Sequence, residues 1–294
     1  MSLPRTSTII SSRLRLNLIE WGDPAAPPLI LQHGGRDHGR SWDSVAAAFA
    51  ADYRVIVPDL RGHGDSDWSA DGGYDMIDYV LDFATIVESL SLPPCAIVAH
   101  SLGGNIATRF AGLYPGRVDR LVNIEGLGFS PRLTAERAAR DELELLRAVI
   151  EQRVTRSRFV PRIYPDIATL AARIRAADAR LSPAMAEHLA RHAAHCNPDG
   201  TLRIKHDPAL AETTPFDIST EARQRLWAAI DCPVLLVYGA QSWASNPEAD
   251  GRAAHFRDVR VKVFEDAGHW VHHDRQADFI ALVRDFLAGT GASR

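Results

Sequence analysis

Cysteine is scarce: the 294 residues hold three, Cys95, Cys196 and Cys232, far apart. That excludes the dense, even-numbered framework that staples small secreted domains. Two of the three open apolar runs, so small buried thiols in a reducing compartment are expected. No sign of charge dominates either. Lys+Arg 33 against Asp+Glu 37 leaves a formal net charge of -4, with none of the basic stripes that grip nucleic acid. No apolar run approaches the roughly 18 residues that a membrane span requires. The opening Met1-Ser2-Leu3-Pro4-Arg5-Thr6-Ser7-Thr8 has no apolar stretch of the signal-peptide kind. Repeats and low-complexity tracts are absent as well. The expectation is a soluble, cytoplasmic protein with no nucleic-acid or membrane partner. A hydrophobic content of 46% is enough for a large core, and the length suits one α/β domain with an insertion.

Taken in order, Leu14, Leu16 and Leu18 alternate with polar residues, as in a half-exposed strand. Pro28-Leu29-Ile30-Leu31-Gln32 is a fully apolar strand running into His33-Gly34-Gly35. A helix follows with Trp42, Val45, Ala46 and Phe49 on one face, then the strand Tyr53 to Pro58. The helix from Asp75 to Leu90 is expected to bury Ile77, Val80, Leu81, Ala84 and Val87. Cys95 to Val98 and Leu121 to Gly126, with its glycine stop, read as further strands. This alternation predicts a parallel sheet covered on both faces. From about 130 to 230 the rhythm stops, and only helical patterns remain, including Thr134 to Val154 (N-cap Thr134) and Pro183 to Ala194 (N-cap Ser182). The division expected is a core of residues 1–129 and 231–294 with a helical cap of 130–230 roofing the site. The sheet resumes at Pro233 to Gly239 and Val259 to Phe264. A last helix presents Phe279, Leu282, Val283 and Phe286.

The chain pivots on Val98-Ala99-His100-Ser101-Leu102-Gly103-Gly104. A serine between a buried strand and a helix, with small residues two positions away on both sides, fits a tight turn that lifts its hydroxyl above the sheet. The Leu102 amide then lies at a helix N-terminus, where partial positive charge can meet an oxyanion. This nucleophile elbow resembles that of the α/β-hydrolase superfamily, although Ala99 stands where glycine is usual. His33-Gly34-Gly35, the segment Asp59-Leu60-Arg61-Gly62-His63-Gly64 and the loop Asp266-Ala267-Gly268-His269-Trp270 add to the resemblance, which covers nearly the whole chain outside the cap. It implies Ser101 as nucleophile, His269 as base and the amides of Gly35 and Leu102 as oxyanion donors. His33, Asp59 and Arg61 are expected to brace loops.

The acid departs from the common pattern. Where most relatives place Asp after the later strand, this chain reads Gly239-Ala240-Gln241-Ser242. Some haloalkane dehalogenases and zearalenone lactone hydrolases instead carry Glu after the strand that follows the elbow helix, and that place holds Glu125. Period-2 alternation puts Asn123 and Glu125 on one strand face. Glu125 is preferred, with Glu248 or Asp250 as the alternative. His269, His272 and His273 could imitate a metal cluster, but no carboxylate stands at a recognised ligand spacing, so neither metal nor cofactor is expected. Arg36, Asp37 and Trp270 are expected pocket residues.

These readings imply hydrolysis of an ester or lactone of a small, largely apolar substrate through an acyl-enzyme. A carbon–carbon bond hydrolase on the same triad is the nearest alternative. A small-molecule receptor built on a hydrolase fold is the alternative of another class. Dehalogenases and epoxide hydrolases use Asp as nucleophile, which Ser101 argues against. Oligomeric state is not legible.

Overall fold

The computed structural model describes residues 3–157, 160–210 and 217–289. Among the described residues ten strands are found: β1 (Arg5–Ser11), β2 (Leu14–Trp21), β3 (Pro28–Gln32), β4 (Arg54–Pro58), β5 (Cys95–His100), β6 (Val118–Ile124), β7 (Ala194–Cys196), β8 (Leu202–Ile204), β9 (Val234–Gly239) and β10 (Val259–Phe264). The helices are α1 (Asp43–Phe49), α2 (Met76–Ser89), α3 (Leu102–Leu113), α4 (Pro131–Ala138), α5 (Glu142–Ser157), α6 (Ile167–Ala177), α7 (Pro183–Ala193), α8 (Thr220–Ala229), α9 (Val271–Asp274) and α10 (Gln276–Leu287).

Eight strands form one sheet in the order β1-β2-β4-β3-β5-β6-β9-β10. Pairings β1/β2 and β2/β4 are antiparallel, and every other neighbour is parallel. All residues of β5 and β9 are buried, as expected of strands covered on both faces. Alternation sorts them: Ile97 and Ala99 join the core under α2, α3 and α8, while Ala96 and Val98 join the core under α1 and α10. The strand order reverses between β3 and β5, so the loops leaving their carboxyl ends part there and open a crevice.

Several elements differ from the sequence reading. The segment Arg5–Ser11, not anticipated as structured, pairs with β2 as an edge strand. Helix α2 buries Tyr79, Val80, Phe83, Ile86 and Val87, whereas Ile77 and Leu81 are exposed at 72% and 48%. The stripe holding both aromatic rings has more apolar area to remove from water, and that sets the rotation. The helix expected from Thr134 breaks at 139–141 into α4 and α5, and its N-cap is Ser130, which accepts from the Leu133 amide. The helix read from Pro183 to Ala194 is α7, which ends at Ala193 and is capped by Ser182 as expected. The inserted segment is not wholly helical: β7 and β8 form an antiparallel hairpin.

The segment that holds α7, β7 and β8 is tied down at two loops of the sheet. From α7, the Leu189 carbonyl accepts from His38 Nε2 (3.2 Å), and His188 Nε2 donates to the Arg40 carbonyl (2.9 Å). Next to the β7–β8 hairpin, the Lys205 carbonyl accepts from Trp68 Nε1 (2.8 Å), and the Asp207 amide donates to the Gly62 carbonyl (2.8 Å). Helix α8 packs on α3, where a side chain at Gly112 would come within 2.4 Å of the Leu226 carbonyl oxygen.

Candidate active site

Ser101 sits between β5 and α3 at φ +52°, a left-handed conformation that a serine adopts only when its surroundings enforce it. The enforcement is local. A Cβ on Gly103 would lie 2.5 Å from the His33 carbonyl oxygen, and one on Gly104 would lie 2.6 Å from Asn123 Oδ1. Helix and strands therefore cross where only glycine fits. Buried Asn123 sets the crossing, donating to Thr108 Oγ1 (2.7 Å) and the Gly104 carbonyl (3.1 Å) while accepting from the Gly126 amide (2.7 Å).

Glu125 follows β6 by one residue and is also left-handed, at φ +50°. This kink, rather than strand alternation, separates it from Asn123 and turns its side chain toward the ends of β9 and β10. Oε1 accepts from the Gly239 amide (2.8 Å), and Oε2 accepts from the Ser242 hydroxyl (2.5 Å). The same Oε2 lies 2.5 Å from His269 Nδ1. A carboxylate only accepts, so Nδ1 carries the proton and Nε2 presents its lone pair to Ser101 Oγ, 3.0 Å away. The Gly268 amide donates to Asp274 Oδ2 (2.7 Å), and the His269 carbonyl accepts from His100 Nε2 (2.9 Å), which together hold the histidine loop.

The alternative carboxylates lie elsewhere. Glu248 is exposed. Asp250 accepts from Arg252 Nε (2.9 Å) and from the Ser245 hydroxyl (2.5 Å). Burial alone would raise its carboxyl, but these donors outweigh burial and hold it below the usual range.

Across the crevice, a Cβ on Gly34 would lie 3.1 Å from Ser101 Cβ, and one on Gly35 would lie 3.7 Å from Leu102 Cδ2. The Gly35 loop thus faces the start of α3, whose first amides have no carbonyl partner within the helix. His33 braces this loop: its Nε2 accepts from the Leu60 amide (3.0 Å), so Nδ1 is the protonated nitrogen facing the Gly34 carbonyl (2.7 Å). Asp59 is buried and accepts from the Gly39 amide (2.6 Å), Asn17 Nδ2 (2.8 Å) and the Asp65 amide (2.9 Å). Arg61 clamps Asp82 through Nε (2.6 Å) and Nη2 (2.7 Å).

A cavity of about 800 Å³ opens over Ser101, lined by the sheet loops on one side and by residues of 128–138 and 217–223 on the other. Of the three expected pocket residues, Arg36 lines it. Asp37 instead accepts from the His38 amide (2.8 Å) and the Ser41 hydroxyl (2.9 Å), and burial pushes its carboxyl up. Trp270 packs edge-on to His269, with ring centroids 5.1 Å apart, outside the lining. The aromatic residue that both lines the cavity and approaches His269 is Trp243, at 5.2 Å. Sequence reasoning passed over it, and the available signal was its place directly after Ser242. The lining mixes Leu102, Leu210 and Phe129 with Arg137, Asp217 and Arg223, so it is less apolar than expected.

Both ring nitrogens of His269 face Ser101 and Glu125, which separates it from His272 and His273. Metal-ligand types gather elsewhere among the described residues, as Asp37, His100 and His272 and as Asp43, His188 and His192. In the second group Asp43 is engaged by Arg40 Nε at 2.7 Å.

Sheet order, strand-end loops and the Ser101–His269–Glu125 chain define an α/β hydrolase. A sequence profile of the alpha/beta hydrolase fold family matches residues 27–276, and the chain belongs to that family. It is 34% identical over 272 residues to a 3-hydroxybutyrate-oligomer hydrolase of Cupriavidus necator, covering 87% of each chain. It is 29% identical to an sn-1-specific diacylglycerol lipase of Mus musculus, over 94% of this chain and 85% of that one. Among solved structures, the thioesterase domain from the curacin biosynthetic pathway superposes with a TM-score of 0.84 at 25% identity, covering 96% of this chain and all of that one.

Proposed function

We propose that this protein hydrolyses carboxylic esters of small molecules through an acyl-enzyme. The carrying observation is the hydrogen-bonded chain from Ser101 Oγ through His269 (3.0 Å) to Glu125 (2.5 Å). In this reading Ser101 Oγ attacks the ester carbonyl while His269 Nε2 takes its proton. Glu125 keeps Nδ1 protonated and steadies the imidazolium that forms. The amides of Gly35 and Leu102 receive the oxyanion as it develops. His269 then returns the proton to the departing alcohol, and a water activated by the same nitrogen releases the acid. None of these steps calls for a metal or cofactor. The segment 130–230 acts as a cap that supplies the outer wall of the cavity. Two relatives are named as a 3-hydroxybutyrate-oligomer hydrolase and an sn-1-specific diacylglycerol lipase, which agrees with this reading.

The test is pre-steady-state release of nitrophenol from a short-chain nitrophenyl ester. The native chain should give a burst equal to the enzyme concentration. Ser101→Ala should give none, with steady turnover lower by about 10³-fold or more. A burst retained in Ser101→Ala would overturn the mechanism.

A further inference from the structure

The loop after β4 places beside the cavity one buried nitrogen that neither the fold nor the proposed chemistry uses. His63 is 1% exposed and lines the cavity. Its Nδ1 lies 2.8 Å from the Arg61 carbonyl. A carbonyl oxygen only accepts, so Nδ1 holds the proton and Nε2 is left with a bare lone pair. That Nε2 has no hydrogen-bond partner among the described residues. Burial first, and the nearby His33 second, hold the ring well below the usual histidine pKa, so it stays neutral and accepting near pH 7. Buried polar atoms are almost always paired, and one left unpaired on a residue that lines a cavity is a place for a ligand to supply the partner.

Tyr79 belongs to the same wall, its ring centroid 6.5 Å from that of His63. Burial raises its phenol, so the O–H stays protonated near pH 7. The other wall phenol is already committed: Tyr74 donates to Asp207 and accepts from the Ser69 amide. The two rings that line this wall thus carry one acceptor and one donor.

We infer that this wall recognises a hydroxyl group, so that the preferred substrates are esters bearing a hydroxyl outside the scissile bond. The substrate O–H donates to His63 Nε2, and its oxygen accepts from Tyr79. A hydroxyl does both from one atom. An ammonium group has no lone pair for Tyr79, a carboxylate turns lone pairs toward a lone pair, and an alkyl chain leaves the nitrogen buried and unpaired. This inference rests on the ester-hydrolase reading for the kind of molecule that enters the cavity.

Binding to Ser101→Ala, measured by titration calorimetry, tests recognition apart from turnover. The probes are ethyl hexanoate, ethyl 3-hydroxyhexanoate, ethyl 6-hydroxyhexanoate and 2-hydroxyethyl hexanoate. At least one hydroxyl-bearing ester should bind about tenfold more tightly than ethyl hexanoate, the size of one net hydrogen bond. In the same background His63→Asn, whose amide can still donate to the Arg61 carbonyl, should bring that ratio near one, and so should Tyr79→Phe. His63→Gln, whose amide reaches the Nε2 position, should keep the preference. Equal affinities for all four esters, no measurable binding of any, or a ratio that neither variant moves would overturn the inference. Native turnover of the same esters separates the two readings. Turnover with no hydroxyl preference leaves ester hydrolysis standing alone. A hydroxyl preference in binding with no turnover of any ester leaves recognition standing and removes the hydrolase reading.

Discussion

The Ser242 hydroxyl donates to Glu125 Oε2 at 2.5 Å, and the same oxygen lies 2.5 Å from His269 Nδ1. Ser242 stands where related hydrolases commonly carry the acid. In the proposed triad the two positions exchange roles: the carboxylate comes from the end of β6, and the loop after β9 supplies a donor to it. Glu125→Gln should lower kcat by roughly 10³- to 10⁴-fold, because an amide can stabilise the wrong histidine tautomer. Adding Ser242→Asp to that variant should recover at least about tenfold of the loss, since a carboxylate again reaches Nδ1; one charge-assisted hydrogen bond is worth about that much. Steady-state kinetics of the single and double variants decides. No recovery would show that the loop after β9 cannot substitute, and a larger loss in Glu248→Gln or Asp250→Asn than in Glu125→Gln would move the acid there.

What the sequence made legible follows from where physical constraints are local. Strands β5 and β9 are apolar throughout because both faces are covered, and runs of that kind show in one dimension. Ser101 and His269 stand out because small residues beside them mark tight turns at strand ends. Strand β1 was invisible because its burial is almost nil: it is held by backbone pairing to β2 along an edge, which leaves no hydrophobic pattern. The rotation of α2 was misjudged because two overlapping stripes run along it, and the one with Tyr79 and Phe83, richer in apolar area, is the one that packs into the core. Glu125 was reached by analogy and alternation, yet its aim comes from a left-handed backbone angle that no periodicity encodes. Ser242 and Trp243 matter through contacts about 117 and 26 positions away, with Glu125 and His269, and such contacts exist only once the sheet is assembled.

Stability should fall steeply on mild acidification. Burial, the largest cause in each case, holds His38, His63, His100 and His272 well below the ordinary value of 6.5, and pushes His192, His206 and His273 down to about 4. An unfolded histidine takes up its proton near 6.5, whereas these folded ones do not until lower pH. Over that interval the unfolded chain binds more protons, so unfolding becomes easier as pH drops. The stability is therefore complete above about pH 6.5 and is lost as pH falls from there toward about 4. Thermal midpoints recorded from pH 7.5 to 5 should decline throughout the lower half of that range. His273→Gln should flatten the decline. A midpoint constant down to pH 5 would show that these rings are charged in the folded chain.

The elbow should tolerate no added carbon. A Cβ at position 104 would lie 2.6 Å from Asn123 Oδ1 and 2.9 Å from Gly126 Cα, one a side chain locked in three hydrogen bonds and the other backbone. Neither can retreat cheaply, so Gly104→Ala should destabilise by about 1–3 kcal/mol, the usual cost of overpacking. Because α3 would be pushed from β6, the Ser101 hydroxyl should also leave its place opposite His269. Urea unfolding measures the first effect and the rate of the nitrophenol burst the second. An unaltered burst in a destabilised Gly104→Ala would show that the helix can shift without carrying Ser101 with it.

Arg61 and Asp82 offer a sharper test of how the loop that bears His63 is held. Their side chains are 4% and 2% exposed, and two hydrogen bonds of 2.6 and 2.7 Å join the loop to α2. A buried pair is costly to break from one side, because the remaining charge stays out of water without its partner. Arg61→Ala or Asp82→Ala should each lower stability by about 3–5 kcal/mol in urea unfolding. Arg61→Met combined with Asp82→Leu removes both charges and refills the volume, so it should regain most of that loss. Arg61 also donates to the Gly73 carbonyl at 3.1 Å and lies 3.5 Å from Asp78, so some loss should persist in the double variant. Single variants as stable as the native chain would mean that water reaches the pair. A double variant no more stable than the singles would mean that these two bonds, rather than the packing of α2, set the loop's position.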